Sequence, residues 1–276
     1  MKLEVIEKRA TEKRYELPLL FVHGGGASAS CWDAFQTYFT EAGFDTYALS
    51  LRGHGKSPAG GILNLIGFRH YLDDIRSVVD GLDRHPILIG HSWGGYLVQK
   101  YLACYSDCPA AALLSSPAPE WGWGLTWRIF KMHPFLVTLG HLAFYPHIVY
   151  SRRESVRNYL FRMETPQDQI DDYLRHVQPV SSRMYLETIF SRPISSQSPC
   201  EVMVLGCEGD ALYPDSVIRR TAASFGVEPV ILPGLCHMLM IDEEWKQAAV
   251  PVLEWLISFS QSSKNEFGDS LRTVLT

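Results

Sequence analysis

Short apolar runs alternate with longer stretches of helical periodicity along this 276-residue chain, which predicts an α/β protein with a mostly parallel sheet covered by helices. The apolar runs are short and bounded by Gly, Pro or polar residues, as strands buried on both faces are. The stretches between them carry apolar residues at three-and-four spacing, as helices with one buried face do. No internal repeat is visible.

The elements follow in order. One plausible strand, around Leu3 to Lys8, precedes the first convincing one, LLFV from Leu19 to Val22. A helix over Trp32 to Ala42 leads to the strand FDTYAL (Phe44 to Leu49), and a helix over Tyr71 to Leu82 leads to PILIG (Pro86 to Gly90). The helix Gly94 to Tyr105 then precedes the strand AALLS (Ala111 to Ser115). From Pro117 to about Pro199 no convincing strand occurs, while aromatics crowd Trp121, Trp123, Trp127, Phe130, Phe135, Phe144 and Tyr145, so a helical insertion is expected. The alternation resumes with EVMVLG (Glu201 to Gly206), a helix over Ser216 to Phe225, the strand PVIL (Pro229 to Leu232) and a helix over Glu243 to Phe259. Residues 261–276 are polar and aperiodic and read as a frayed tail. The expected division is a core of residues 1–116 and 200–260, an insertion of 117–199 and that tail.

Composition narrows the function. With 46% hydrophobic and 20% charged residues and a net charge of -5, the chain resembles an ordinary globular enzyme. Lys and Arg are scattered rather than massed, which gives no reason to expect nucleic acid or anionic lipid as partner; a small-molecule substrate is expected instead. The charges in MKLEVIEKRATEKRYE recur too often for the apolar core of a signal peptide, and no apolar run reaches the length of a membrane span. Six cysteines lie far apart, which fits reduced thiols and a cytoplasmic location better than a disulfide framework. Cys104 and Cys108 share a helix face by their spacing, but no nearby His or Cys pair completes a zinc set, so no metal site is expected.

The chemistry is carried by separated motifs. Gly90-His91-Ser92-Trp93-Gly94 matches G-x-S-x-G, and it falls between a strand and a helix. A sharp turn there pushes the Ser92 hydroxyl out over the sheet edge, and the flanking glycines remove the Cβ atoms that would collide. His91 points the other way in such a turn and reads as structural. His23-Gly24-Gly25-Gly26 closes the strand LLFV, where the N–H of Gly25 would face an oxyanion together with the N–H of Trp93. A serine needs an imidazole base held by a carboxylate. His237 lies in a loop just after the last strand, and Asp210 lies in the turn after EVMVL; Glu208, Asp215 and Glu120 are rival acids. The chain order Ser92, Asp210, His237 is the one this strand–turn–helix motif takes.

With the elbow, the HGGG bend, the segment Arg52-Gly53-His54-Gly55-Lys56-Ser57 and the two late loops, the chain resembles the α/β-hydrolase superfamily from about Leu17 to Phe259. The fourth-strand loop usually reads D-x-R-G-x-G-x-S in that family, and here Ser50 replaces its leading Asp. The resemblance implies an eight-stranded sheet and a helical cap over the nucleophile, similar to those of esterases and lysophospholipase-like or monoacylglycerol-lipase-like members. Dehalogenases and epoxide hydrolases of the superfamily carry Asp where this chain has Ser92, so both are disfavoured. The expectation is a serine hydrolase that cleaves an apolar or aromatic carboxylic ester or thioester through an acyl-enzyme on Ser92, without a cofactor. An acyltransferase, a carbon–carbon bond hydrolase or a cofactor-free perhydrolase could use the same triad, and a ligand receptor without turnover could retain the fold.

Overall fold

The computed structural model describes residues 1–119, 127, 130–131, 152–190, 194 and 200–274. Its strands are β1 (Val5–Lys8), β2 (Leu19–Val22), β3 (Thr46–Leu49), β4 (Ile87–His91), β5 (Ala110–Leu114), β6 (Glu201–Cys207) and β7 (Val230–Leu232). They form one sheet in the order β1-β3-β2-β4-β5-β6-β7. β1 pairs antiparallel with β3, and every other pairing is parallel. All four residues of β2 and all five of β4 and of β5 are buried, because helices cover both faces of the central strands.

The family resemblance implies eight strands, and the described sheet has seven. Residues 9–17, which connect β1 to β2, form no strand and are too polar to present an alternating apolar face. They are tied down by polar contacts instead: Ala10 N–H donates to Asp45 Oδ1 at 3.1 Å, and Arg14 N–H to the Gly43 carbonyl at 3.0 Å.

The described helices α1 (Asp33–Glu41), α2 (Phe68–Val79), α3 (Trp93–Cys104), α4 (Arg153–Leu160), α5 (Gln167–His176), α6 (Ser182–Phe190), α7 (Asp215–Ser224) and α8 (Lys246–Val274) each bury an apolar stripe. In α2 that stripe is Phe68, Tyr71, Ile75 and Val79. The helix starts at Phe68 rather than Tyr71 because Glu187, on α6, accepts the Phe68 N–H at 2.6 Å and satisfies the first turn from outside. α3 ends at Cys104, where Tyr105 turns extended, so Cys108 lies beyond the helix and shares no face with Cys104. α8 continues to Val274, past the Phe259 at which its apolar spacing stops. Helical backbone therefore extends into the segment that reads as a tail; elongation adds one hydrogen bond per residue, and no proline interrupts it there.

Between β5 and β6, the described residues form α4, α5 and α6 and no strand. Most of the aromatic cluster named above, and Glu120, lie outside the described residues; Trp127 is exposed and stacks on Phe130 at 5.7 Å between ring centres. Among the described residues, no helix is long and apolar enough to cross a membrane.

The strand order reverses at β2 and β4, which are adjacent although the chain passes through β3 between them. Loops leaving these two carboxyl ends diverge and open a crevice, the usual ligand position in open α/β sheets.

Candidate active site

Ser92 directly follows β4, with φ 53° and ψ -123°, a conformation that only a tightly determined turn imposes on a residue with a side chain. The turn is held from both sides. Ser92 N–H donates to the Leu114 carbonyl on β5 at 2.8 Å, and the Ser92 carbonyl accepts from Tyr96 N–H in the first turn of α3. A Cβ on Gly90 would lie 2.7 Å from both the Gly94 carbonyl oxygen and the Gly95 Cα. One on Gly94 would collide with the Val22 and His23 carbonyl oxygens. Both glycines are therefore required by close backbone approach.

The structure brings Ser92, His237 and Asp210 together from three separate loops. Ser92 Oγ lies 2.9 Å from His237 Nε2, and His237 Nδ1 lies 2.8 Å from Asp210 Oδ2. A carboxylate only accepts, so Nδ1 carries the proton and Nε2 presents its lone pair to the Ser92 hydroxyl. The other oxygen, Asp210 Oδ1, accepts from the N–H groups of Leu212 and Tyr213 at 2.8 and 3.0 Å, which fixes the carboxylate in its turn. The side chains of His237 and Asp210 are almost completely buried. The rival acids are placed elsewhere: Glu208 is exposed, and Asp215 heads α7.

His91 reads as structural in the sequence, and here it braces the His237 loop. Its Nε2–H donates to the His237 backbone carbonyl at 2.9 Å. Burial, reinforced by the neighbouring His237, holds the His91 imidazole well below its ordinary pKa and so keeps it neutral.

The glycine-rich bend after β2 is held by His23. Its Nδ1–H donates to the Gly24 carbonyl at 2.8 Å and its Nε2 accepts from Leu51 N–H at 3.0 Å. Burial, then the nearby His54, pushes the His23 pKa down to about 3, so this imidazole is neutral as well. Gly25 and Trp93 line the same cavity as Ser92 and His237. Trp93 is the first residue of α3, and N–H groups in a first helical turn have no intrahelical partner. Gln178, missed by the sequence reading, bridges two loops: its N–H donates to the Gly26 carbonyl at 2.8 Å, and its Oε1 accepts from Gly55 N–H at 2.7 Å.

Ser50, which replaces the family's Asp, finds a carboxylate from another strand neighbourhood. Ser50 Oγ donates to Glu4 Oε2 at 2.7 Å, and the same oxygen accepts from Lys56 N–H at 2.9 Å. A glutamate ahead of β1 thus braces this loop.

The cavity over Ser92 has a volume of about 90 Å³, and α4, α5 and α6 supply much of its wall. Leu160, Tyr173, Val177, Val180, Met184 and Met238 make it mainly apolar, and no Lys, Arg, Asp or Glu lines it among the described residues. No cluster of three or more His, Cys, Asp or Glu is placed to hold a metal ion among those residues either.

Comparison with known proteins agrees with this architecture. A bifunctional esterase/perhydrolase of Acinetobacter calcoaceticus is 37% identical over 103 residues, which is 37% of this chain and 37% of that protein. A monoacylglycerol lipase of Mycolicibacterium smegmatis is 34% identical over 105 residues, 36% of this chain and 37% of that one. The matched stretches thus span little more than a third of these relatives. A thermophilic esterase from Thermogutta terrifontis superposes with a TM-score of 0.74 at 19% identity, covering 94% of both chains. The model of the alpha/beta hydrolase family matches residues 19–250, and the chain belongs to that family.

Proposed function

We propose that this chain is a serine hydrolase acting on uncharged, apolar carboxylic esters or thioesters. The observation that carries the reading is the unbroken relay from Ser92 through His237 to Asp210, at 2.9 and 2.8 Å, with Ser92 on a strained turn at the floor of an apolar cavity. Ser92 Oγ attacks the acyl carbonyl carbon while His237 Nε2 takes its proton. The carbonyl oxygen becomes an oxyanion, met by the N–H groups of Gly25 and Trp93. His237 then returns the proton to the leaving alcohol or thiol, and an acyl-enzyme remains. Water repeats the sequence and releases the acid.

The wall chemistry supports the substrate class. An anionic headgroup would find no Lys or Arg among the described lining residues, whereas an alkyl or aromatic group gains ~25 cal/mol per Å² on burial there. The helices α4 to α6 act as a cap in this reading. The chain's six cysteines are not joined in disulfides, which fits a reducing, cytoplasmic setting.

Hydrolysis of p-nitrophenyl esters of increasing chain length tests the proposal. Medium-chain esters are expected to be the best substrates, with an initial burst of p-nitrophenol, and Ser92→Ala is expected to abolish both. Activity confined to acetyl esters would contradict the apolar substrate. No Ser92-dependent turnover of any ester would favour a ligand receptor.

A further inference from the structure

The three glycines after His23 are glycines for different reasons. A Cβ on Gly24 would lie 3.0 Å from both His91 Nδ1 and Ser92 Cβ. Gly26 has a φ of 73°, and a Cβ there would stand 3.1 Å from the Gln178 carbonyl oxygen. The turn itself requires both. Gly25 differs from its neighbours: its φ lies outside the left-handed region, and among the described residues its Cβ would meet only Val180 Cγ1, at 3.7 Å, an ordinary van der Waals contact. An alanine would suit this backbone and would restrict the unfolded chain, so the fold gains nothing from a glycine here. Gly25 is exposed, and with Val180 it lines the cavity over Ser92, so the space its side chain would fill belongs to that cavity. The far wall of this space is fixed. Next to Val180, Ser181 Oγ donates to the Ile66 carbonyl at 2.6 Å, and Ser182 N–H donates to Asn64 Oδ1 at 3.1 Å.

We propose that the space between Gly25 and Val180 is a subsite for a branch on the acyl group, which admits esters or thioesters bearing a methyl substituent on the carbon next to the carbonyl. This rests on the acyl-enzyme reading above. The reacting carbonyl carbon carries two arms. The leaving oxygen or sulfur must come within reach of His237 Nε2, which protonates it, so that arm is committed to the His237 side. The acyl arm is left to pass Gly25, whose N–H meets the carbonyl oxygen in the same reading, and the first acyl carbon then lies beside the missing side chain. A methyl branch on that carbon gains contacts with Val180 and the Gly25 backbone that a linear chain leaves unmade. The methyl introduced by Gly25→Ala would occupy the same volume.

The test uses two isomeric substrates that share a leaving group: p-nitrophenyl hexanoate and its isomer with a methyl branch on the carbon beside the carbonyl. The wild-type chain is expected to hydrolyse both with comparable kcat/KM. Gly25→Ala is expected to lose about tenfold more kcat/KM on the branched isomer than on the linear one, with a melting point by circular dichroism that is unchanged or raised. Adding Val180→Ala to that variant widens the slot from its other side and is expected to recover part of the branched-ester activity. An equal loss on both isomers, whatever the melting point, would overturn the subsite and leave Gly25 as an oxyanion donor alone. No recovery on adding Val180→Ala would contradict the shared volume. Wild-type protein whose Ser92 fails to react with a fluorophosphonate would overturn the acyl-enzyme reading and this proposal with it.

Discussion

Replacing Asp210 by Asn tests how the relay stores its proton. In the native turn, Oδ2 accepts from His237 Nδ1 at 2.8 Å and Oδ1 accepts from Leu212 and Tyr213 N–H at 2.8 and 3.0 Å. An amide offers one oxygen and one NH2. Turning its oxygen toward His237 would aim NH2 at two backbone donors, and leaving both N–H groups unsatisfied in this buried turn costs ~1–3 kcal/mol each. The oxygen therefore stays with the backbone pair, and NH2 faces Nδ1, which must then accept. The imidazole proton moves to Nε2, points at Ser92, and leaves no lone pair to take the serine proton. A fall in kcat of about 10⁴ follows, equivalent to ~5.5 kcal/mol of lost transition-state stabilisation. Because the side-chain volume is preserved, the melting point should shift by only a few degrees. Steady-state hydrolysis of a p-nitrophenyl ester, paired with a circular-dichroism melt, measures both. A folded variant that keeps more than about a tenth of wild-type kcat would refute this placement of the proton.

Other consequences follow from the same geometry. Gly90→Ala places a Cβ 2.7 Å from Gly94 O and Gly95 Cα, closer than the ~3.5 Å of relaxed contact, and both neighbours are backbone. The variant should lose ~1–3 kcal/mol of stability in urea denaturation and about 10²-fold in ester turnover, because the start of α3 must shift with Ser92 on it. Wild-type values for both would remove the steric account of the elbow. Stability should also fall on acidification. Burial holds His23 down to about 3 and His54 down to about 4, against an ordinary value of 6.5, so below that value the unfolded chain binds protons that the folded chain refuses. Each of these histidines then contributes stability fully present above its unfolded pKa, and loses up to ~1.4 kcal/mol per pH unit as pH falls toward its folded value. Urea midpoints at pH 7 and pH 5 should differ in that direction, and His54→Asn should flatten the slope. A midpoint that rises on acidification would contradict the assignment of both as buried neutral groups.

What was legible in the sequence was what local pattern encodes. β2 occupies LLFV with no displacement, because a run buried on both faces and stopped by Pro18 and by His23-Gly24 leaves little choice of boundary. The elbow was readable because glycine, serine and the strand-to-helix switch are neighbours in the chain, and the two late loops because each follows an apolar strand directly. The contacts that escaped join residues far apart in sequence. Glu187 capping α2 acts across 119 positions, Gln178 reaches Gly55 across 123, and Glu4 supplies a carboxylate to Ser50 across 46. A glutamate or glutamine in those places looks like solvated surface until the fold brings its partner.

The most direct measurement is the mass of the Ser92 peptide after rapid quenching of the protein mixed with an activated ester. The account predicts an acyl group on Ser92 that appears with the burst and decays at the steady-state rate, and its absence in Ser92→Ala. Ester turnover without that adduct, or an adduct on another residue that persists in Ser92→Ala, would contradict it.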